Sequence, residues 1–370
     1  MKDKFIGLLG AIYTRIPRQY RPAIKWAVFG VLLRLQSLAT FRRIRKGRRV
    51  EFLDFDIAHL EPFETLEPDS RQILVESICS TVSPGTERAV LSGLPGARRS
   101  FPYEPGYSCA GAVVKVGKKV SEVEPGDRVV GRMKHTSFSV RPPGGLFKVP
   151  DGVSGEEASF MELGIIVLQG IRKARIRPGD RVAVVGQGLI GQLANKFARL
   201  AGAGRVIAVA QSRRRESTAL GPGGADEYIA LAEDSGALDR IQADVVIEAV
   251  GSPQAVVQSI QCAVPGGRVI LLGSSRGIGR GVDFKRLAQD RSIDIVGAHI
   301  SAMPDRESSP GRWTYQQEGE LFLRLLAEHR ISVSDLVTWR AAPSECNQVF
   351  ETLAAGGAHH VGIVFQWKPE

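Results

Sequence analysis

Residues 182–191 read Val-Ala-Val-Val-Gly-Gln-Gly-Leu-Ile-Gly, an apolar run that ends in three glycines spaced GxGxxG. Beyond it, apolar residues recur at helical spacing to Leu200, so the stretch predicts a strand, a tight turn and a helix. Each glycine has its own reason. Gly186 permits the turn, Gly188 lets the backbone approach a pyrophosphate, and Gly191 allows the helix to pack closely on the strand. Leu189 and Ile190 open the helix, whose N-terminus offers unpaired N–H groups and a partial positive charge to an anion. A second strand is expected on schedule at 206–210, completing the unit that binds a dinucleotide.

The identity of that dinucleotide is read at the end of the second strand. A carboxylate there would bind a free ribose 2′-hydroxyl, but the position is Ala210, followed by Gln211-Ser212-Arg213-Arg214-Arg215. Ser212, Arg213 and Arg214 would instead meet a 2′-phosphate, which points to NADP(H). Val250 and Gly251, and Gly273 and Ser274, follow the next two strands and complete the expected cofactor set.

Strands are predicted at Arg181–Val185, 206–210, 244–249, 268–272 and Asp294–Gly297, with helix-length segments between most of them. That alternation specifies an α/β half with a doubly wound parallel sheet. From 50 to 149, short β-branched runs alternate with turns such as Pro105-Gly106 and Pro125-Gly126-Asp127, which predicts a β-barrel. A final strand at 361–365 is expected to pair with that barrel. The chain therefore divides into a helical extension at 1–48, a β domain at 49–160 and 301–370, and a dinucleotide-binding domain at 161–300.

Charge sets the first segment apart. The net charge is +10, yet residues 1–50 hold 13 Lys and Arg against Asp3 alone, leaving the other 320 residues at −2. Phe5, Leu8, Leu9, Ile12 and Ile16 recur at helical spacing beside Arg15, Arg18 and Arg21, as in an amphipathic helix. The apolar stretch 26–33 falls far short of the roughly 20 residues a bilayer demands. Association of 1–48 with a membrane surface, a helical cap or oligomer contact, and a cleaved targeting peptide all fit. No specific nucleic-acid module is present. Cys79, Cys109, Cys262 and Cys346 contain no CxxC pair, so a reducing, cytoplasmic setting is expected, with a peripheral place at the membrane if the basic segment binds lipid.

Further motifs resemble the medium-chain dehydrogenase/reductase superfamily over roughly residues 50–368. They are Ser83-Pro-Gly-Thr-Glu87, Pro105-Gly-Tyr-Ser-Cys-Ala-Gly111 through Gly126-Asp-Arg-Val-Val130, Leu163-Gly-Ile-Ile-Val-Leu-Gln-Gly170, and Glu248-Ala-Val-Gly251 with Pro265-Gly-Gly-Arg-Val-Ile270. The resemblance implies a GroES-like β domain at both chain ends around a Rossmann domain, and a homodimer paired through the Rossmann sheets. Within the superfamily the chain is similar to the sorbitol/threonine dehydrogenase-like branch. It also resembles zinc-lacking members such as bacteriochlorophyllide dehydrogenases and bi-domain oxidoreductases, which share S-x-G-T-E.

Zinc-containing relatives carry Cys before Gly-Thr-Asp and a Gly-His-Glu segment; this chain has Pro84, and Tyr107-Ser108 after Gly106. Two ligands are missing, so no zinc is expected. An oxyanion formed in hydride transfer would then need protein donors. By motif position these are Tyr107, as donor to the substrate oxygen, with Thr86 and Glu162 orienting substrate hydroxyls. His135, in His135-Thr-Ser-Phe-Ser-Val140, also matches a β-domain segment of the family. His299 could face the nicotinamide. The activity implied is an NADP(H)-dependent, zinc-independent interconversion of a secondary alcohol and a ketone on a polyol, sugar, cyclitol or larger biosynthetic intermediate. Reduction of an enone or quinone C=C bond, or a non-enzymatic cofactor-binding protein on a membrane surface, are the alternatives.

Overall fold

The computed structural model describes residues 21–98, 100–234, 236–280, 282–356 and 359–368. The amphipathic pattern from Phe5 to Ile16 lies outside the described residues. Helix Arg21–Thr40 leads into β1 (Ile44–Asp54), which forms an antiparallel hairpin with β2 (Ile57–Leu66). Regular β structure thus starts at Ile44, inside the stretch expected to be helical up to residue 48.

The barrel half follows the alternating pattern. Its strands are β3 (Ile73–Thr81), β4 (Cys109–Val116), β5 (Arg128–Gly131), β6 (Phe138–Arg141) and β7 (Leu146–Lys148). Ile73, Val75, Cys109, Val113, Val129 and Met133 close one core beneath them. The chain then crosses, through the helix Met161–Ala174, into the second half.

There β8 (Arg181–Val185), β9 (Arg205–Ala210), β10 (Glu227–Ala230), β11 (Ala243–Glu248), β12 (Ala263–Leu271) and β13 (Asp294–Gly297) form a parallel sheet. Its order is β10-β9-β8-β11-β12-β13, a doubly wound Rossmann arrangement. The central strands are continuous Val, Ala and Ile because helices cover both faces. Two details differ from the sequence expectation. β10 was not foreseen, since four residues at an edge give little periodicity, and β12 begins at Ala263, five residues early, with a register shift against β11.

After the Rossmann strands, the helix Tyr315–Ala327 packs back on Met161–Ala174, and the chain returns through β14 (Val337–Ala341) to β15 (Gly362–Gln366). β15 pairs antiparallel with β3, as expected of the terminal strand, giving the seven-stranded sheet order β14-β15-β3-β4-β5-β7 with β6 on β3.

The helix pair that braces the two halves is packed without slack. A Cβ at Gly164 would lie 2.1 Å from the ring of Phe322, a fully buried side chain that also meets Phe197 at 6.2 Å between centroids. Gly164→Ala is therefore expected to lower unfolding free energy by about 1–3 kcal/mol through overpacking, readable by urea denaturation. Unchanged stability would mean the helices separate at negligible cost.

Candidate functional site

A cleft of about 1200 Å³ lies where the barrel meets the carboxyl ends of the Rossmann strands. Its floor is the GxGxxG turn. Gly186 has φ +101°, outside the range of ordinary side chains, and a Cβ at Gly191 would sit 1.7 Å from the Gly186 carbonyl oxygen. At Gly188 the nearest atom to a Cβ is the Arg215 guanidinium at 3.8 Å, so the glycine leaves open space above the helix N-terminus. Leu189 and Ile190 line the cleft beside it.

The neighbouring strand ends are tied by one buried carboxyl. Glu248 Oε1 accepts from the N–H groups of Val250 and Gly251, both at 2.7 Å, and its backbone oxygen accepts from Leu272 and Gly273. Val250, Gly251, Gly273 and Ser274 all line the cleft. Burial raises the Glu248 carboxyl above the ordinary glutamate range, against the two backbone hydrogen bonds, and Oε2 has no hydrogen-bond partner.

At the end of β9 the three expected basic-turn residues separate. Ser212 and Arg214 line the cleft. Arg213 does not: its guanidinium is engaged with Glu233 at 2.8 Å and Glu216 at 2.5 Å. Its place is taken by Arg215, half-buried, lining the cleft, with a buried Nε that lacks a hydrogen-bond partner; burial lowers its pKa. A 3-10 turn over Arg213–Arg215 rotates the first arginine outward and the third inward, so Arg213 is not the cleft residue expected from its position and Arg215 is.

On the barrel side, Ser83, Thr86, Tyr107, Arg132 and Glu162 line the cleft. Tyr107 donates to Ser83 Oγ at 2.7 Å. Burial pushes its phenol well above the ordinary tyrosine range, reinforced by the Glu87 and Glu162 carboxylates, so at neutral pH it carries its proton. Glu162 has both oxygens engaged: Oε2 accepts from Arg132 Nε at 2.9 Å and Oε1 from the Tyr315 hydroxyl. Burial raises its carboxyl, offset by those two donors. Its influence on a substrate therefore passes largely through Arg132.

His135 is elsewhere than expected. It is fully buried behind the cleft wall, with Nδ1 2.8 Å from Ser80 Oγ and Nε2 3.0 Å from Glu87 Oε2. Glu87 Oε1 in turn accepts from the Ser83 N–H at 2.9 Å, so His135 braces the wall instead of meeting a ligand. His299 does line the cleft, its Nδ1 accepting from Ser301 N–H at 3.2 Å. Arg132, on a barrel loop, and Arg276, on a Rossmann loop, also line the cleft, and Tyr315, at a helix start, meets Arg132 through Glu162; none of the three belongs to a local motif.

The positions where a metal ligand set would stand hold Pro84, which has no side-chain donor, the protonated Tyr107, and Ser108, whose hydroxyl donates to the Ser159 carbonyl at 2.5 Å. Among the described residues no group of three or more His, Cys, Asp and Glu could hold a metal ion.

A doubly wound sheet with a cleft outside the carboxyl ends of its strands is the arrangement in which such folds hold their ligands. The family model for the alcohol dehydrogenase GroES-like domain matches residues 69–147, and that for the zinc-binding dehydrogenase matches 190–311, together more than half of the chain. The chain belongs to the medium-chain dehydrogenase/reductase superfamily, in its zinc-type alcohol dehydrogenase-like division near the sorbitol dehydrogenase branch, and is an oxidoreductase. It is 28% identical over 295 residues to L-idonate 5-dehydrogenase of Vitis vinifera, covering 68% of this chain and 76% of that one. It is 26% identical over 290 residues to sorbitol dehydrogenase of Gallus gallus, covering 68% and 77%. A zinc-binding dehydrogenase structure from Sinorhizobium meliloti 1021, bound to NADP, superposes with a TM-score of 0.72 at 20% identity, covering 87% of this chain and 99% of that one.

The buried carboxyl of Glu248 gives a pH signature. A raised native pKa means the folded state binds more protons than the unfolded chain, so this group's stabilisation is full below about 4.5 and falls as pH climbs through the native value. Glu248→Gln keeps an oxygen for Val250 and Gly251 while removing the titration. Urea denaturation should show the variant losing less stability than wild type as pH rises above the ordinary glutamate range, by about 1.4 kcal/mol per unit of raised pKa. Parallel profiles would mean that the carboxyl titrates alike in the folded and unfolded chain and is not raised by burial.

Proposed function

We propose that this chain is an NADP(H)-dependent, zinc-independent oxidoreductase that interconverts a secondary alcohol and a ketone on a polyol, sugar or cyclitol-like substrate. The observation that carries the cofactor choice is Arg215, whose buried Nε is without a partner directly over the glycine turn, beside Arg214 and Ser212 and with Ala210 where a repelling carboxylate would stand. The glycine cradle, the amides opening the Leu189–Leu200 helix and these cations fit a dinucleotide bearing a 2′-phosphate. When bound, NADP(H) would supply or accept the hydride.

The chain's own groups handle position and proton. Tyr107, kept protonated by burial, offers its O–H to the substrate oxygen, and Ser83 can turn its hydroxyl to donate to the phenol as charge develops there. Thr86, on the same wall, orients a neighbouring substrate hydroxyl. Glu162, held by Tyr315, fixes the Arg132 guanidinium at the cleft edge, where its remaining N–H donors can meet a second hydroxyl. The donor set at Pro84, Tyr107 and Ser108 does not suit zinc, so no step needs a metal. The likeness to L-idonate 5-dehydrogenase and sorbitol dehydrogenase supports a polyol- or sugar-derived substrate class. A homodimer is the assembly we infer, through the outer edge of β13, where Asp294, Ile295 and Gly297 are exposed at the end of the Rossmann sheet.

Two variants test this reading. Arg215→Ala should weaken NADPH binding about 10- to 100-fold in a fluorescence titration while changing NADH binding far less. Equal losses for both nucleotides would remove the 2′-phosphate assignment. Tyr107→Phe should lower kcat by about 10²- to 10³-fold with NADPH affinity retained. A substrate panel in which only enones turn over, or stoichiometric zinc in the purified protein, would overturn the mechanism.

A further inference from the structure

We propose that the outer face of the Arg21–Thr40 helix docks on an anionic lipid surface. Among the described residues, the helix is anchored to the β1–β2 hairpin along one side. Leu33 is buried against the β1–β2 hairpin, Arg34 pairs with Glu64 at 3.3 Å, and Ser37 Oγ donates to the Arg42 carbonyl at 2.5 Å. At 3.6 residues per turn the opposite arc carries Val28, Val31, Leu32, Leu35, Leu38 and Ala39. Val31 is 60% exposed, Leu32 44%, Leu35 58% and Leu38 73%, and Phe41, just past the helix, is 96% exposed. A surface helix ordinarily turns its apolar stripe inward; here a second apolar stripe faces solvent.

Charge selects the occupant. Immediately after Phe41 come Arg42, Arg43, Arg45, Lys46 and Arg48. Arg42 is spent on the Glu67 carbonyl and Arg45 on Glu76; Arg43 is exposed, and Lys46 and Arg48 keep exposed side chains while reaching Glu64 at 3.8 Å and the Leu60 carbonyl at 3.4 Å. Residues 1–50 hold 13 basic side chains and one acid, while the rest of the chain is close to neutral. A second copy seated on this arc would bring the same cations against these, and residues 1–20 are themselves basic, so both protein occupants meet like-charge repulsion. Phosphate headgroups complement the cations while the arc enters the acyl boundary, which covers both features at once. Among the described residues no helix is long and apolar enough to cross a membrane, so the helix would lie on the surface.

The experiment uses the full chain and sedimentation with vesicles of phosphatidylcholine, with and without phosphatidylglycerol. Wild type should co-sediment with the anionic vesicles and be released by salt. Leu35→Glu with Leu38→Glu, and separately Arg43→Glu with Lys46→Glu, should each weaken binding by about tenfold or more, with NADPH titration unchanged as the check on folding. Absence of co-sedimentation, equal binding to neutral vesicles, or full binding by both double variants would overturn the proposal. So would a dimer of wild type that becomes monomeric in the leucine variant without vesicles, which would make the arc a protein contact.

Discussion

The whole site depends on how closely two glycines approach. Gly191 lies so near the Gly186 carbonyl that a single methyl group would overlap it, and this contact seats the Leu189–Leu200 helix directly on the end of β8. From that seating follow the direction of the helix N-terminus, the open volume above Gly188, and the position of the loops after β11 and β12, which Glu248 then gathers around the same point. A wider turn would separate amides, arginines and barrel wall, and the cleft would lose its convergence.

The two sides of the cleft use different physics. The Rossmann side is backbone amides and guanidinium groups, which suit phosphate because they are fixed donors and never need to titrate. The barrel side is hydroxyls and carboxyls whose protonation burial has altered, with Tyr107 and Glu162 both shifted upward. That division matches a reaction in which one partner is held as a polyanion and the other must exchange a proton at a single oxygen.

How much could be read beforehand depended on whether a position's role is local or assembled. The glycine turn, the parallel sheet and the pairing of the terminal strand were legible, because strand periodicity and turn chemistry are properties of short stretches. Tyr107, Thr86 and Glu162 were also placed at the cleft, through motif position. His135 was not: its residue type suggests chemistry, but only the fold shows it enclosed between Ser80, Glu87 and Phe365. Arg213 and Arg215 are chemically identical in sequence, and the 3-10 turn alone decides which one faces the cleft. The edge strand β10 and the early start of β12 escaped notice because four residues, or a Pro-Gly-Gly stretch, carry almost no pattern.

The pairing of β15 with β3 has a consequence for how the chain is made. Trp367 donates to Ser80 Oγ at 2.9 Å, the same oxygen that contacts His135, across a separation of 287 residues. On a ribosome the dinucleotide half is therefore fully synthesised, and free to fold, while β3 still lacks one neighbour and exposes an open ladder. The wall that bears Tyr107 is therefore the last part of the fold to gain all its neighbours.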